Sequence, residues 1–345
     1  MKWKSLRDAL KRYVMVVVGV ALTVASFYSA DDARADASKV QVATQFGLAY
    51  LPLIVMEHDR LWEKHAEVLG VKISVEYVRL GGGGALNDAL ISDSVDVVAG
   101  GLAPMLVLWD RNTTTFKVSG LAALNASPFD ILTNKRTIKS LADFTDVDRI
   151  AVPSISTSIQ AIVLMAAAEQ MFGPGQVHRL DNLTVAMQHP DAVVAMTSAN
   201  SQISGYVSSS PYQEILLKKP GITKITDSFA VFGGPTTLSV VYAKEAFVKK
   251  NPKVMQAFYA ALREALASMA AERGGTIDKY LAVTHERIDR ALIEEILSQP
   301  DFRFGIEPTA TLHVAQLMQR VGLLKHKPTS WKDYFAEPLH AGQGS

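Results

Sequence analysis

The sequence predicts an α/β protein with two lobes, each built on a mostly parallel sheet that is flanked by helices. Short β-branched runs alternate with longer helical patterns from Lys39 onwards, and this alternation is typical of parallel sheets covered by helices. The chain has 345 residues, a length that suggests about two domains. After Tyr242 the pattern changes to helix alone, and we expect these last helices to pack back onto the first lobe.

The first lobe is predicted to begin with three strands that each lead into a helix. Apolar runs rich in Val, Ile and Tyr indicate the strands, and a proline favours the start of two of the helices. The predicted strands are Val40–Thr44, Val71–Val78 and Val95–Ala99, and the predicted helices are Pro52–Val68, Ala85–Ile91 and Pro104–Arg111.

The second lobe is predicted to start near Ser127 and to repeat this alternation. Its expected elements are strands at Phe129–Thr133, Arg149–Pro153, Leu183–Met187 and Gln202–Val207, a helical turn at Leu141–Phe144 and a long helix at Ser156–Phe172. A further strand is predicted at Thr237–Tyr242, followed by helices at Met255–Glu272, Thr276–Val283, Arg287–Leu297 and Thr309–Leu323. Because no linker separates the two units, we expect strands to cross between a first lobe of residues 36–126 and 232–345 and a second lobe of residues 127–231.

The first 35 residues have the pattern of a secretory signal peptide. Five basic residues precede the uncharged run Tyr13–Phe27, which is shorter than the roughly 20 residues that span a bilayer. Ala33-Arg34-Ala35 then matches a small-residue cleavage site. We therefore expect an exported, periplasmic protein that is cleaved after about Ala35.

The composition and the motif search exclude several functional classes. The chain has no cysteine, which removes thiol nucleophiles, zinc ribbons and iron–sulfur clusters. Its net charge of +1 shows no basic excess for binding nucleic acid. The sequence contains no G-x-S-x-G, H-E-x-x-H, Walker A or dinucleotide fingerprint. We therefore expect neither enzymatic activity nor a bound metal or cofactor.

Small polar residues follow four of the predicted strands. The loops are Gly81–Gly84, Gly100–Ala103, Ser154–Ser158 and Ser208–Ser210. Ligands of open α/β sheets bind at the carboxyl ends of strands, where helix N-termini favour anions. In any single loop, ordinary turn and capping chemistry is the alternative interpretation. Together with aromatic residues that can close the site, the loops supply the candidate ligand-binding residues Gln45, Phe46, Tyr50, Gly82, Gly83, Ala103, Ser127, Ser154, Ser156, Thr157, Ser158, Tyr206, Ser208 and Gly233.

Several short motifs also occur in a specific order along the chain. They are Phe46–Pro52 after the first strand, Val95–Val97, Gly101–Pro104, Arg149–Pro153 before a Ser/Thr loop, and Thr237–Tyr242 ahead of Asn251-Pro252. In this order they resemble the nitrate/sulfonate/taurine-type solute-binding proteins of ABC importers, which are related to thiamine-pyrimidine binding proteins. The resemblance covers about residues 38–325. It implies a type II periplasmic binding protein fold, a small-molecule ligand in the cleft between the lobes, hinge closure, and delivery by a monomer to a permease with its ATPase.

The sequence departs from these relatives in two ways. Sulfonate binders often carry a serine in the loop equivalent to Gly81–Gly84, whereas this chain has only glycine there, so backbone donors remain and a hydroxyl is lost. Thiamine-pyrimidine synthases of the same fold use a cysteine-rich motif, which a chain without cysteine does not carry. An enzyme acting on a pyrimidine-like substrate and a ligand-binding sensor protein are the alternative functions.

Overall fold

The computed structural model describes residues 36–345, so the predicted signal peptide lies outside the described residues. Two sheets organise the described chain, and helices flank both of them. In chain order the strands are β1 (Lys39–Thr44), β2 (Ser74–Arg79), β3 (Val97–Gly101), β4 (Val118–Ala126), β5 (Asp130–Thr133), β6 (Ile150–Val152), β7 (Thr184–Ala186), β8 (Gly205–Val207), β9 (Thr223–Asp227), β10 (Ser239–Lys244) and β11 (Arg303–Phe304). The helices are α1 (Leu51–Asp59), α2 (Leu61–Val68), α3 (Gly83–Ile91), α4 (Leu102–Asp110), α5 (Ile159–Phe172), α6 (His189–Thr197), α7 (Tyr212–Leu217), α8 (Ser228–Phe232), α9 (Glu245–Lys250), α10 (Pro252–Ala271), α11 (Arg273–Thr284), α12 (Arg290–Leu297) and α13 (Thr311–Arg320).

The predicted α/β fold with two lobes is confirmed, and both sheets are mixed. We call the six-stranded sheet, in the order β11-β4-β10-β3-β1-β2, and its helices the first lobe. The five-stranded sheet, in the order β7-β6-β8-β5-β9, and its helices form the second lobe. Strand β1 is parallel to β2 and β3, and β6 is parallel to β7 and β8. The first strand after each crossing between the lobes, β5 or β10, runs antiparallel to its neighbours.

Two crossing segments connect the lobes, one from β4 to β5 and one from α8 to β10. A pair of hydrogen bonds ties the far ends of these segments together. The amide of Phe129 donates to Ser228 Oγ at 2.9 Å, and the amide of Ser228 donates to the carbonyl oxygen of Phe129 at 2.9 Å. The two crossings therefore lie side by side next to β5, and we refer to them together as the hinge.

The central strands of the first lobe are buried on both faces. Along β10, Val240 and Tyr242 belong to one apolar cluster, whereas Val241 and Ala243 belong to another. Successive strand residues point to opposite faces, so a strand that is covered on both sides needs a continuous apolar run. This requirement explains why the sequence of β10 showed no alternation of polar and apolar residues.

The C-terminal helices pack on the first lobe, as the sequence predicted. Helix α10 lies against α1 and α2, and the Trp62 and Phe258 rings are 4.9 Å apart between centroids. The indole Nε1 of Trp62 donates to the carbonyl oxygen of Val254 at 2.9 Å. Because Trp62 is fully buried, this bond satisfies a donor that has no access to water.

Several predicted element boundaries were wrong. The single helix predicted at Pro52–Val68 is two helices, since Arg60 adopts a left-handed conformation with φ of 53°. Strand β4 was missed because it is rich in small residues. At Gly120 a Cβ atom would lie 2.5 Å from the Phe335 ring, so close packing requires the glycine. Strand β9 was also missed, and β11, which pairs with β4, contradicts the expectation of helix alone after Tyr242.

None of the helices between residues 36 and 345 combines the length and the apolar character that a membrane span requires.

Replacing Trp62 with phenylalanine should lower the free energy of unfolding by about 2–3 kcal/mol, because it removes the indole bond to the carbonyl oxygen of Val254 and leaves a small void. Tyr259→Phe is a control on the same helix pair, since the buried Tyr259 hydroxyl has no hydrogen-bond partner among residues 36–345. Removing that hydroxyl should be neutral or slightly stabilising. Urea unfolding measures both changes, and equal losses in the two variants would contradict this account.

Candidate ligand site between the lobes

The glycine loop after β2 touches the serine loop after β6. The amide of Gly84 donates to Ser154 Oγ at 3.3 Å. At Gly82 a Cβ atom would lie 2.3 Å from Ser154 Oγ and 2.5 Å from the carbonyl oxygen of Pro153. Any side chain at Gly82 would therefore push the two lobes apart at this point.

The loop after β1 makes a second contact with the opposite lobe, against the loop after β8. The amide of Leu48 donates to the carbonyl oxygen of Ser210 at 2.9 Å. Gly47 precedes it with φ of 118°, a conformation that L-residues rarely adopt. A Cβ atom at Gly47 would also lie only 3.0 Å from the same carbonyl oxygen. Glycine is needed at this position for both reasons.

The lobes also meet at the edges that lie farthest from the hinge. Strand β2 is an outer strand of the first sheet, and β7 is an outer strand of the second. At Gly81, directly after β2, a Cβ atom would lie 2.3 Å from the side-chain Cδ of Gln188, which follows β7. The two lobes are thus in direct contact at three places: Gly82 with Ser154, Leu48 with Ser210, and Gly81 with Gln188.

Three helix N-termini converge where these loops meet. Helix α3 begins at Gly83, and a Cβ atom added there would lie 2.7 Å from Pro104 Cγ in the first turn of α4. At Gly101, which precedes α4, a Cβ atom would lie 2.9 Å from Ile159 Cγ2 at the start of α5. Each N-terminus presents backbone N–H groups and a partial positive charge. The combined field at this junction favours a negatively charged group.

The hydroxyl groups of the serine loop have different roles. Ser158 Oγ accepts from the amide of Ala161 at 3.2 Å and donates to the carbonyl oxygen of Ser154 at 2.7 Å. It therefore caps α5, and the capping interpretation accounts for this residue. Ser156, with φ of 61°, and Thr157 are half-buried in the same loop. Their hydroxyl groups are better placed to meet a ligand.

A buried histidine organises the polar groups on the second lobe. His189 begins α6, and its Nδ1 is hydrogen-bonded to the hydroxyl of Tyr206. Its Nε2 lies 3.3 Å from Gln160 Nε2 and 3.3 Å from Ser209 Oγ. Burial lowers the pKa of His189 to about 4, so the ring is neutral near pH 7. Burial also raises the pKa of the Tyr206 hydroxyl, which keeps its proton.

Residues after β1 contribute from the first lobe. The hydroxyl of Tyr50 donates to Gln45 Oε1 at 3.0 Å, and Tyr50 is buried, which raises the pKa of its hydroxyl. The Phe46 ring packs against an apolar cluster of the second lobe. Of the predicted aromatic residues, Phe46 thus reaches across to the opposite lobe.

Four of the predicted residues have mainly structural surroundings. Gly233 is exposed, ends α8 with φ of 80° and has nothing within 4 Å of its Cβ position. Ser127 lies in a crossing segment and donates to Asn125 Oδ1 at 2.6 Å. Ala103 is buried in the first turn of α4, and the fully buried Ser208 donates its amide to a carbonyl oxygen of β5.

Sequence reasoning missed several polar residues at the junction. They include Gln160, Gln188 and His189, which is buried at the start of α6. The signal for His189 was its place directly before Pro190, which indicated a helix start without indicating what would bury the ring. Its partners come from distant parts of the chain, and local patterns do not identify them.

Two carboxylates lie beside the hinge. Glu214 Oε1 accepts from Ser210 Oγ at 2.7 Å, and burial raises the pKa of Glu214 to about 7. Burial also raises the pKa of Asp130 to about 6, with Lys224 opposing the shift. Lys224 Nζ forms an ion pair with Asp130 Oδ1 at 3.1 Å. Among residues 36–345 this oxygen accepts no hydrogen bond of good geometry.

Arg79, the basic residue at the end of β2, is already paired. Arg79 Nη2 donates to Glu57 Oε2 at 3.1 Å. Among residues 36–345 no group of three or more acidic, His or Cys side chains is placed to hold a metal ion. The donors at the junction are therefore backbone amides and neutral side chains.

The raised pKa values of Glu214 and Asp130 predict a pH-dependent stability. Between about pH 4 and pH 7 the folded protein keeps protons that the unfolded chain has released, so the free energy of unfolding falls as pH rises through this interval. We expect Glu214→Gln to remove part of this loss, about 2 kcal/mol between about pH 4.5 and pH 8. Urea unfolding across this range measures it.

The matched control is Glu294→Gln, which changes an exposed carboxylate and should leave the pH profile parallel to that of the wild type. If the stability difference between Glu214→Gln and the wild type stayed constant from about pH 4.5 to pH 8, the assignment of these titrations would be wrong.

Solved structures with the same fold include three binding proteins of low sequence identity. The alkanesulfonate-binding protein SsuA from Xanthomonas axonopodis pv. citri, bound to MOPS, is 18% identical, with a TM-score of 0.68 over 85% of this chain and 96% of that one. The periplasmic aliphatic sulphonate binding protein SsuA from Escherichia coli is 17% identical, with a TM-score of 0.64 over 89% and 100%. The periplasmic nitrate-binding protein NrtA from Synechocystis PCC 6803 is 14% identical, with a TM-score of 0.64 over 86% and 84%.

At these identities the likeness establishes the fold, which is that of periplasmic solute-binding proteins. No curated protein sequence matches the chain. A family model covers residues 33–279, well over half of the sequence. The chain belongs to the NMT1-like family.

Proposed function

We propose that this protein is the substrate-binding component of an ABC importer. It captures a small anionic or polar organic solute of the sulfonate, nitrate or taurine class between its lobes, without chemical conversion. The first lobe comprises about residues 36–126 and 232–345, and the second comprises about residues 127–231. The two lobes close around the solute by bending at the crossing segments. The closed protein then delivers the solute to a membrane permease, which works with its ATPase.

One observation carries the proposal: three helix N-termini from two lobes converge where the strands of both sheets end. Helices α3 and α4 come from the first lobe and α5 from the second. A ligand bound there contacts both lobes at once, so binding favours the closed conformation over the open one. This coupling between occupancy and closure is what a solute-capture protein requires.

The chemistry of the junction favours an anion held by neutral donors. Its groups include the backbone amides of the glycine loop, the hydroxyls of Ser156 and Thr157, and the neutral side chains around His189. An anion at helix N-termini needs no basic side chain. A site of this kind suits a ligand that must later be released, because no buried ion pair has to be broken.

The low net charge and the N-terminal pattern support the same function. Five basic residues ahead of an uncharged run support export to the periplasm, where we expect the protein to act as a monomer. After removal of the first 35 residues, 29 Lys and Arg face 31 Asp and Glu, so attraction for an anion must be local. The solved structures of sulfonate- and nitrate-binding proteins with the same fold support this class of ligand.

A thermal-shift screen tests the proposed function. It should include alkanesulfonates, taurine, nitrate, aromatic carboxylates and thiamine pyrimidines, with simple cations as the matched negative set. We expect one anionic or polar class to raise the melting temperature, because a ligand at 100 times its Kd stabilises the folded state by about 2.7 kcal/mol. Stabilisation by cations alone would contradict the proposal.

Gly82→Ala should weaken binding of the solute found in that screen by about tenfold or more, since overpacking of this size costs about 1–3 kcal/mol. Gly82 has φ of −169°, which alanine adopts freely, so the conflict is with the opposite lobe and not with the backbone. Isothermal titration calorimetry measures the change.

Gly84→Ala is the matched control two residues away. A Cβ atom there would lie 3.7 Å from Ser154 Oγ and 3.8 Å from Thr157 Oγ1, which are ordinary contact distances. Affinity should stay within about twofold of the wild type in this variant. If Gly82→Ala also bound with unchanged affinity, the contact between the glycine and serine loops would play no part in the bound state.

A further inference from the structure

One carboxylate of the first lobe joins the two lobes through a pair of tyrosines. Glu286 lies between α11 and α12, and its Oε1 accepts a hydrogen bond from the hydroxyl of Tyr212 at 2.8 Å. Its Oε2 accepts from the hydroxyl of Tyr280 at 2.8 Å. Tyr280 is on α11 in the same lobe as Glu286, whereas Tyr212 begins α7 in the second lobe. One of the two bonds therefore crosses between the lobes.

Tyr212 connects this carboxylate to the polar groups of the candidate site. Its ring stacks on the His189 ring with centroids 5.4 Å apart and an interplanar angle of 11°. His189 Nε2 in turn lies 3.3 Å from Ser209 Oγ. A displacement of Tyr212 would therefore shift the side chains next to the junction of the loops.

The bond from Tyr212 to Glu286 is a charge-assisted contact between the lobes that lies largely out of water. Tyr212 is 4% exposed, and a hydrogen bond to a carboxylate in such surroundings is about twice as strong as a neutral one. Burial raises the pKa of Tyr212, so the hydroxyl remains a donor. A further side-chain pair on this face is Lys218 with Glu295. Both side chains are more than half exposed, so this ion pair contributes little to stability.

We propose that Glu286 is a latch that holds the closed conformation through Tyr212, also when no solute is bound. The bond exists only when α7 lies against α11 and α12, so it stabilises the closed state and not the open one. Glu286 is a positioning residue, because it acts on His189 through Tyr212. The inference deepens the proposed function and rests on it, since closure matters only if the solute binds between the lobes.

Distance measurements between spin labels test the latch in the ligand-free protein. The chain has no cysteine, so Val68→Cys and Val194→Cys introduce two unique labelling sites at positions that are 83% and 70% exposed. Val68 ends α2 in the first lobe, and Val194 lies on α6, directly after the outer strand β7. We expect Tyr212→Phe to raise the ratio of open to closed molecules by about tenfold, and Glu286→Ala to do the same.

Tyr280→Phe is the matched control. It removes one hydroxyl from the same carboxylate at the same distance of 2.8 Å, but that bond lies within the first lobe. We expect its interlobe distances to stay close to those of the wild type. The double variant Tyr212→Phe with Glu286→Ala should open no further than either single change, because both remove the same bond.

The proposal is overturned if Tyr212→Phe leaves the distances unchanged, if Tyr280→Phe opens the protein equally, or if the wild type is already fully open. Circular dichroism of each labelled variant shows that it is folded. Because no solute is present, these outcomes are independent of the solute screen. A protein that opens in Tyr212→Phe yet binds no anion would refute the proposed function and leave the latch standing.

Discussion

Direct contact between two backbones is the constraint on which the rest of this structure depends. Gly82 meets Pro153 and Ser154 of the opposite lobe at a distance that leaves no room for a side chain. Because the loops touch there, the N-termini of α3, α4 and α5 come together at one junction. The combined field of the three helix ends follows from that approach, and the hydroxyls of the serine loop lie beside it.

Two carboxylates, Glu286 and Glu214, have opposite effects on stability. Glu286 joins the lobes at the face formed by α7, α11 and α12, where both of its oxygens accept tyrosine hydroxyls. Glu214 lies near the hinge, where burial raises its pKa to about 7. The first group stabilises one arrangement of the lobes, whereas the charged form of the second is disfavoured in the folded protein.

Local patterns were sufficient for the alternation of strands and helices and for the loops after β2, β3, β6 and β8. Periodicity and glycine or proline positions are properties of neighbouring residues, so the sequence carries them directly. The missed strand β4 contains Gly120, where only glycine fits because the Phe335 ring lies against it. Phe335 is 215 positions further along the chain. His189 and Tyr212 were missed for the same reason, since Tyr212 meets Glu286 across 74 positions. Contacts over such separations are fixed by the fold, and a single sequence does not reveal them.

In the proposed function, the Phe46 ring gives the closing motion a thermal signature. This aromatic side chain belongs to the first lobe but packs against the apolar cluster of the second lobe. Separation of the lobes exposes the ring and the surface beneath it to water, which raises the heat capacity of the open form. The enthalpy of closure must then become more negative with temperature, so warming and cooling shift the open and closed populations even when no solute is bound.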